Sequence, residues 1–193
     1  MNIRFLGDAL DHWKGSLFES LQNAGVLSHF AVDPLASDLH EWKQQDFDLY
    51  ARLLKVSFCQ VLRHKVGIAD NRQKYFQEIL HIGDLFLDPD TGVATGRVTK
   101  RHVMPTEVGH LLDSNLKRIV VVYQHAARCR LAERVDEVLK AICDHRGLWW
   151  CSYESGTVAM LFLSRDRGRT GAVANHFRGI LSLRADGRIR PGE

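Results

Sequence analysis

Apolar positions recur along this chain in two periods, and their alternation predicts strands interleaved with helices. Ile3 to Asp8 reads as a first short strand running into a carboxylate, and Ala9 to Asn23 as a helix. In that helix Leu10, Trp13, Leu17, Phe18 and Leu21 fall at three-and-four spacing, with Gly25 as its stop. His29 to Asp33 reads as the second strand, ended by Pro34, which has no ladder donor. Leu39 to Val66 turns helical over two helices closed by Gly67, and Asn71 to His81 forms another helical segment. Gly83 then introduces the strand Asp84 to Leu87, and Val93 to Val98 reads as a hairpin arm or an ordered loop. Pro105 opens a helix to Leu116, its missing N–H costing nothing in a first turn.

Ile119 to Val122 is continuous and β-branched, the pattern of a strand buried on both faces near the centre of a parallel sheet. Arg128 to His145 is helical, stopped by Gly147. Leu148 to Tyr153 and Thr157 to Arg165 read as an antiparallel hairpin joined around Glu154-Ser155-Gly156, with Glu154 as a turn acid. A last helix covers Thr170 to Leu183. The expected fold is an α/β three-layer Rossmann-like sandwich, its sheet mostly parallel with a C-terminal antiparallel hairpin. A chain of 193 residues, 45% hydrophobic, suits one domain, here 1–183, followed by a basic flexible tail, 184–193.

A formal charge of +3 permits nucleic-acid contact without requiring it. Cys59, Cys129, Cys143 and Cys151 form no C-x-x-C pair, so they read as reduced thiols of a cytoplasmic protein. Apolar runs such as Thr157 to Leu163 are far shorter than the ~20 residues of a membrane span, so no membrane role is expected. The P-loop, G-x-G-x-x-G and G-x-S-x-G patterns are all missing, which disfavours those nucleotide-binding and hydrolase classes. The ten histidines form no zinc grouping.

The chemistry-bearing pattern is the acid at a strand end, where open α/β sheets bind ligands. Gly83 to Gly92 delivers Asp88 and Asp90 into a turn, while Asp8, Asp11, Asp33 and Asp38 follow or flank other apolar runs. Carboxylates brought together repel unless neutralised, so Asp8, Asp33, Asp88 and Asp90 are candidate ligands of Mg2+ or Mn2+. With Asp88, Asp90, His125 and Lys14 as catalytic candidates, and Lys100, Arg101 or His102 meeting phosphate, the reading is metal-dependent phosphodiester hydrolysis on nucleic acid or a nucleotide. Tyr123 and Gln124 are candidates to hold a base edge, and His125 is either a base or a helix-capping histidine. The same aspartates also suit helix caps and turns. Trp13 fits a core face, whereas one of Trp149 and Trp150, near Arg146, is a candidate stacking surface. Arg165, Arg167, Arg169, Arg178, Arg184, Arg188 and Arg190 make the C-terminal third the most positive region.

A strand ending in Asp88-Pro89, a helix, an apolar strand, a long helix and a closing hairpin together resemble the second half of Rossmann-like methyltransferases that act on adenine in DNA or ribosomal RNA. Asp88-Pro89-Asp90-Thr91 matches the first two positions of their Asp-Pro-Pro-Tyr motif, which holds the target amine. Gly7 to Lys14 is similar to the N-terminal segment of the ribosomal RNA enzymes. The resemblance implies S-adenosylmethionine as cofactor, yet Val32 to Asp38, in the place of the cofactor loop, has no glycine. Two alternatives therefore accompany the nuclease reading: a methyltransferase-like protein, active or degenerate, and a non-catalytic partner subunit of a larger complex.

Overall fold

The computed structural model describes residues 1–65, 67–80, 82–126, 129–143 and 147–192. Val66, His81, Arg128, His145 and Arg146, which bounded or flanked expected elements, lie outside the described residues, as does the side chain of Cys143. The six helices described are α1 (Ala9–Asn23), α2 (Gln44–Leu53), α3 (Arg72–Gln77), α4 (Pro105–Ser114), α5 (Leu131–Cys143) and α6 (Arg167–Leu181). The strands are β1 (Ala31–Asp33), β2 (Leu85–Leu87), β3 (Gly92–Val93), β4 (His102–Val103), β5 (Val120–His125), β6 (Trp149–Ser155), β7 (Val158–Ser164) and β8 (Ile189–Gly192).

Six strands form one sheet in the order β1-β2-β5-β7-β6-β8, and β3 pairs with β4 in a separate ribbon. The β1–β2 and β2–β5 pairs are parallel, while β5–β7, β7–β6 and β6–β8 are antiparallel. The sheet is thus mixed rather than mostly parallel, because β7 returns beside β5 in the reverse direction and β8 extends the hairpin.

Register explains how the sequence builds two cores. One row across the sheet runs Val32, Phe86, Val121, Phe162 and Cys151, and the adjacent row runs Ala31, Leu85, Val120, Leu163 and Trp150. Neighbouring strand residues face opposite ways, so the rows feed different cores. The first packs beneath Phe18 of α1, Tyr50 of α2 and Phe177 of α6. The second packs against Phe76 of α3, Leu111 of α4 and Val138 of α5. Gly15 lets α1 approach α2, since a Cβ there would strike the Leu53 carbonyl.

Two expected elements are corrected. Ile3–Phe5 is a 3-10 turn rather than a strand, and Asp8 behind it caps α1. The tail is not free over 184–193: Ile189–Gly192 pairs with β6, and Ala185 and Ile189 bury their side chains.

Candidate functional site

The carboxyl ends of β1, β2 and β5 lie side by side, as their parallel pairing requires. Asp88 directly follows β2, and its amide donates to the Asp33 carbonyl at 3.0 Å, which continues the ladder one step and fixes its carboxylate. A cavity of about 290 Å3 opens here. Asp88, Pro89 and Asp90 line it from β2, Tyr123 and His125 from β5, and Asp8, Leu10, Asp11 and Lys14 from α1, with Met1 and Phe5 beside them.

The N-terminus of α1 is held by its own acids. Asp8 accepts hydrogen bonds from the Leu10 and Asp11 amides, and Asp11 accepts one from Gly7. One turn along, buried Lys14 donates to Asp11 at 3.0 Å and to both oxygens of Asp88 at 2.9 and 2.8 Å. Its Nζ also lies 4.3 Å from the centre of the Tyr123 ring. Tyr50 of α2 completes the cluster, donating its hydroxyl to Asp88 at 3.0 Å. Burial pulls the Lys14 pKa down, but Asp88 and Asp11 more than reverse this, so Lys14 stays a cation. Burial, reinforced by Asp88, holds the Asp11 pKa up against the pull of Lys14 and keeps the Tyr50 phenol well above its ordinary range. Burial followed by Lys14 lowers the pKa of His125, which favours the neutral imidazole.

The other acids go elsewhere. Asp90 accepts from Ser37 Oγ at 3.0 Å and lies 3.5 Å from the Met1 amine, which also donates to the Pro34 and Leu35 carbonyls. Asp33 does not line the cavity. It is buried against His64 Nε2 at 3.0 Å and the Tyr75 hydroxyl at 2.6 Å. Among the described residues no three His, Cys, Asp or Glu side chains group to hold a metal ion. The expected ligand set Asp8, Asp33, Asp88 and Asp90 therefore does not fit Mg2+ or Mn2+: a hard cation would have to displace Lys14 and Tyr50 from Asp88, and Asp33 stands apart with its own donors.

Gln124 is buried and its amide is consumed by the fold, accepting from the Val93 amide and donating to the His125 carbonyl. Lys100 is exposed and pairs with Asp38, and Arg101 lies 4.0 Å from Asp90. Trp13 packs edge-on against Tyr153. Glu154, expected as a turn acid, is buried and bonded to Ser152 and Arg190. Sequence reasoning had not given Asp11 or Tyr50 their places beside Lys14. The i,i+3 spacing of Asp11 and Lys14 was the available signal for the first, whereas Tyr50 looked like any member of an apolar stripe.

No family model matches this chain. No curated protein matches it either. Among solved structures, a protein of Legionella pneumophila str. Philadelphia 1, described by the family model DUF519, is distantly similar: 10% identical, with a TM-score of 0.42. The likeness covers 80% of this chain and 62% of that one, so this chain spans less than two thirds of its neighbour's length. No helix among the described residues is long and apolar enough to cross a membrane.

Proposed function

We propose that this chain is a Rossmann-like, methyltransferase-like protein whose strand-end cavity binds an amino-bearing nucleobase of the adenine type, with methyl transfer lost. The observation that carries the reading is the Tyr123 hydroxyl, buried without a hydrogen-bond partner among the described residues, in a residue that lines the cavity beside Asp88-Pro89. A buried unsatisfied hydroxyl costs about 1–3 kcal/mol, which a ligand with a ring nitrogen or amine would recover.

Charge supports the same class. Asp8, Asp11, Asp88 and Asp90 meet Lys14 and the Met1 amine, an excess of carboxylate that favours an exocyclic amine and repels a phosphodiester. The helices on both faces of the sheet and the reversed β7 beside β5 accord with the layered scaffold and closing hairpin of the resemblance. S-adenosylmethionine fits poorly: residues 34–37, after β1, are buried and glycine-free, so they offer no open backbone to its methionine part. Lys14 holds Asp88 in place, and Asp88, Tyr123 and neutral His125 supply the polar groups that orient a base.

Calorimetric titration with adenosine, AMP and S-adenosylmethionine tests this. Adenosine is expected to bind saturably and more tightly than AMP, and its binding is expected to vanish in Tyr123→Phe and Asp88→Asn. A flat adenosine titration, together with a Mg2+-induced thermal shift that Asp88→Asn removes, would overturn the proposal in favour of metal-dependent phosphodiester hydrolysis.

A further inference from the structure

A second cavity, of about 380 Å3, lies at the other end of the sheet. The register places it there: Val120 opens β5 opposite Leu163, which pairs with Trp150, whereas His125 ends β5 at the strand-end site. Five residue steps of β5 separate the two ends by roughly 17 Å. Trp149 and Trp150 line this cavity from β6, and one face of α6 supplies Arg167, Gly171, Asn175 and Arg178. These helix positions recur every three or four residues, so both arginines look onto the same hollow. Both tryptophans remain partly exposed. Gly192 on β8 makes room for Trp150, since a Cβ there would collide with the indole.

The charge is unspent. Arg165 is paired with Asp113, Arg169 with Asp84, and Arg190 with Glu154 and Asp136. Arg178, by contrast, is exposed, and its guanidinium meets no carboxylate among the described residues. The Arg167 guanidinium lies 4.9 Å from the centre of the Trp149 ring and meets no carboxylate there either. Residues 164–193 hold seven arginines against two aspartates and one glutamate. An aromatic surface flanked by two cations with no carboxylate partner among the described residues suits a stacked base with its phosphates.

We propose that this cavity is a single-stranded nucleic-acid site, in which a base stacks on the Trp149–Arg167 pair and adjacent phosphates meet Arg167 and Arg178. It is independent of the strand-end cavity and does not rest on the reading of that site.

Fluorescence anisotropy with a fluorescein-labelled single-stranded dodecamer tests it, alongside an otherwise identical abasic strand. Arg178→Glu and Arg167→Glu are at exposed positions and are expected to stay folded by circular dichroism while each weakens binding about tenfold or more. Each is also expected to lower the slope of log affinity against log salt by about one. The abasic strand is expected to bind the unaltered protein about fivefold or more weakly, reflecting the lost stack. An all-thymidine dodecamer, which offers the strand-end cavity no exocyclic amine, is expected to bind the unaltered protein with undiminished affinity, which separates failure here from failure at the strand-end cavity. Absence of saturable binding, unchanged affinity in Arg178→Glu, or equal affinity for the abasic strand would each overturn the proposal, the last leaving a generic anion surface.

Discussion

Lys14 is the residue on which the strand-end cluster depends. It is 4% exposed, and it is the cation shared by Asp11 and Asp88. Removing one member of a buried ion pair leaves a charge without solvent or partner, which costs about 3–5 kcal/mol. Lys14→Met is therefore expected to destabilise the fold by about that amount in urea denaturation. Adding Asp88→Asn is expected to recover part of the loss, because the stranded charge goes with it. Simple additivity of the two losses would show that the pair does not act as a unit. The acid at a strand end was legible in the sequence because Asp88-Pro89 follows an apolar run so abruptly. Its neutralisation was not, since nothing in linear order places Lys14 and Tyr50, which lie 74 and 38 residues away, against that carboxylate.

At the scale of elements, His64 ties the segment after α2 to β1 and α3. Its ring bonds Asp33 at 3.0 Å and Glu78 at 3.3 Å and stacks on Tyr75 at 3.7 Å. Burial alone would lower its pKa, but Asp33 and Glu78 raise it above the ordinary 6.5. A raised folded pKa contributes stability that is fully present below 6.5 and is lost as pH rises through the folded value. His125 and His102, both lowered, act in the opposite sense, so the useful quantity is a difference between proteins. The Tm advantage of the unaltered protein over His64→Gln is expected to be largest below pH 6.5 and to shrink above it. An advantage constant across that range would dismiss the imidazolium bridge. The elements best read from sequence were those with long, unbroken patterns: the one-sided α1, the β6–β7 hairpin and the β-branched core of β5, buried on both faces. The Ile3 to Asp8 stretch misled because three apolar residues suit a 3-10 turn as well as a strand. The tail misled because its arginines obscure the two apolar residues, Ala185 and Ile189, that dock it.

Across the whole molecule, strand direction was the feature that local patterns could not supply. Period-two alternation says which face a residue takes, but not whether its neighbour runs with it or against it, and here the answer changes at β5. The strand pairings also differ in the length of chain each must close: β6 and β7 meet across a turn of two residues, β5 with β7, β6 with β8 and β2 with β5 all close longer segments, and Ala31 must find Leu85 across the longest. Loop-closure entropy makes distant pairings late arrivals, so the β6–β7 hairpin is expected to form first and the three-residue edge strand β1, with the longest segment to close, to dock last. The order of opening follows in reverse. Amides of β5, β7 and β6 are expected to exchange slowest in hydrogen–deuterium exchange, and those of β1 fastest among the sheet strands. Slower exchange in β1 than in β7 would refute that route. A chain built this way anchors Asp88, in the strand-end cavity, to the edge strand that docks last through its amide's bond to the Asp33 carbonyl, so opening of β1 is expected to disturb that cavity while the tryptophan–arginine end is still intact.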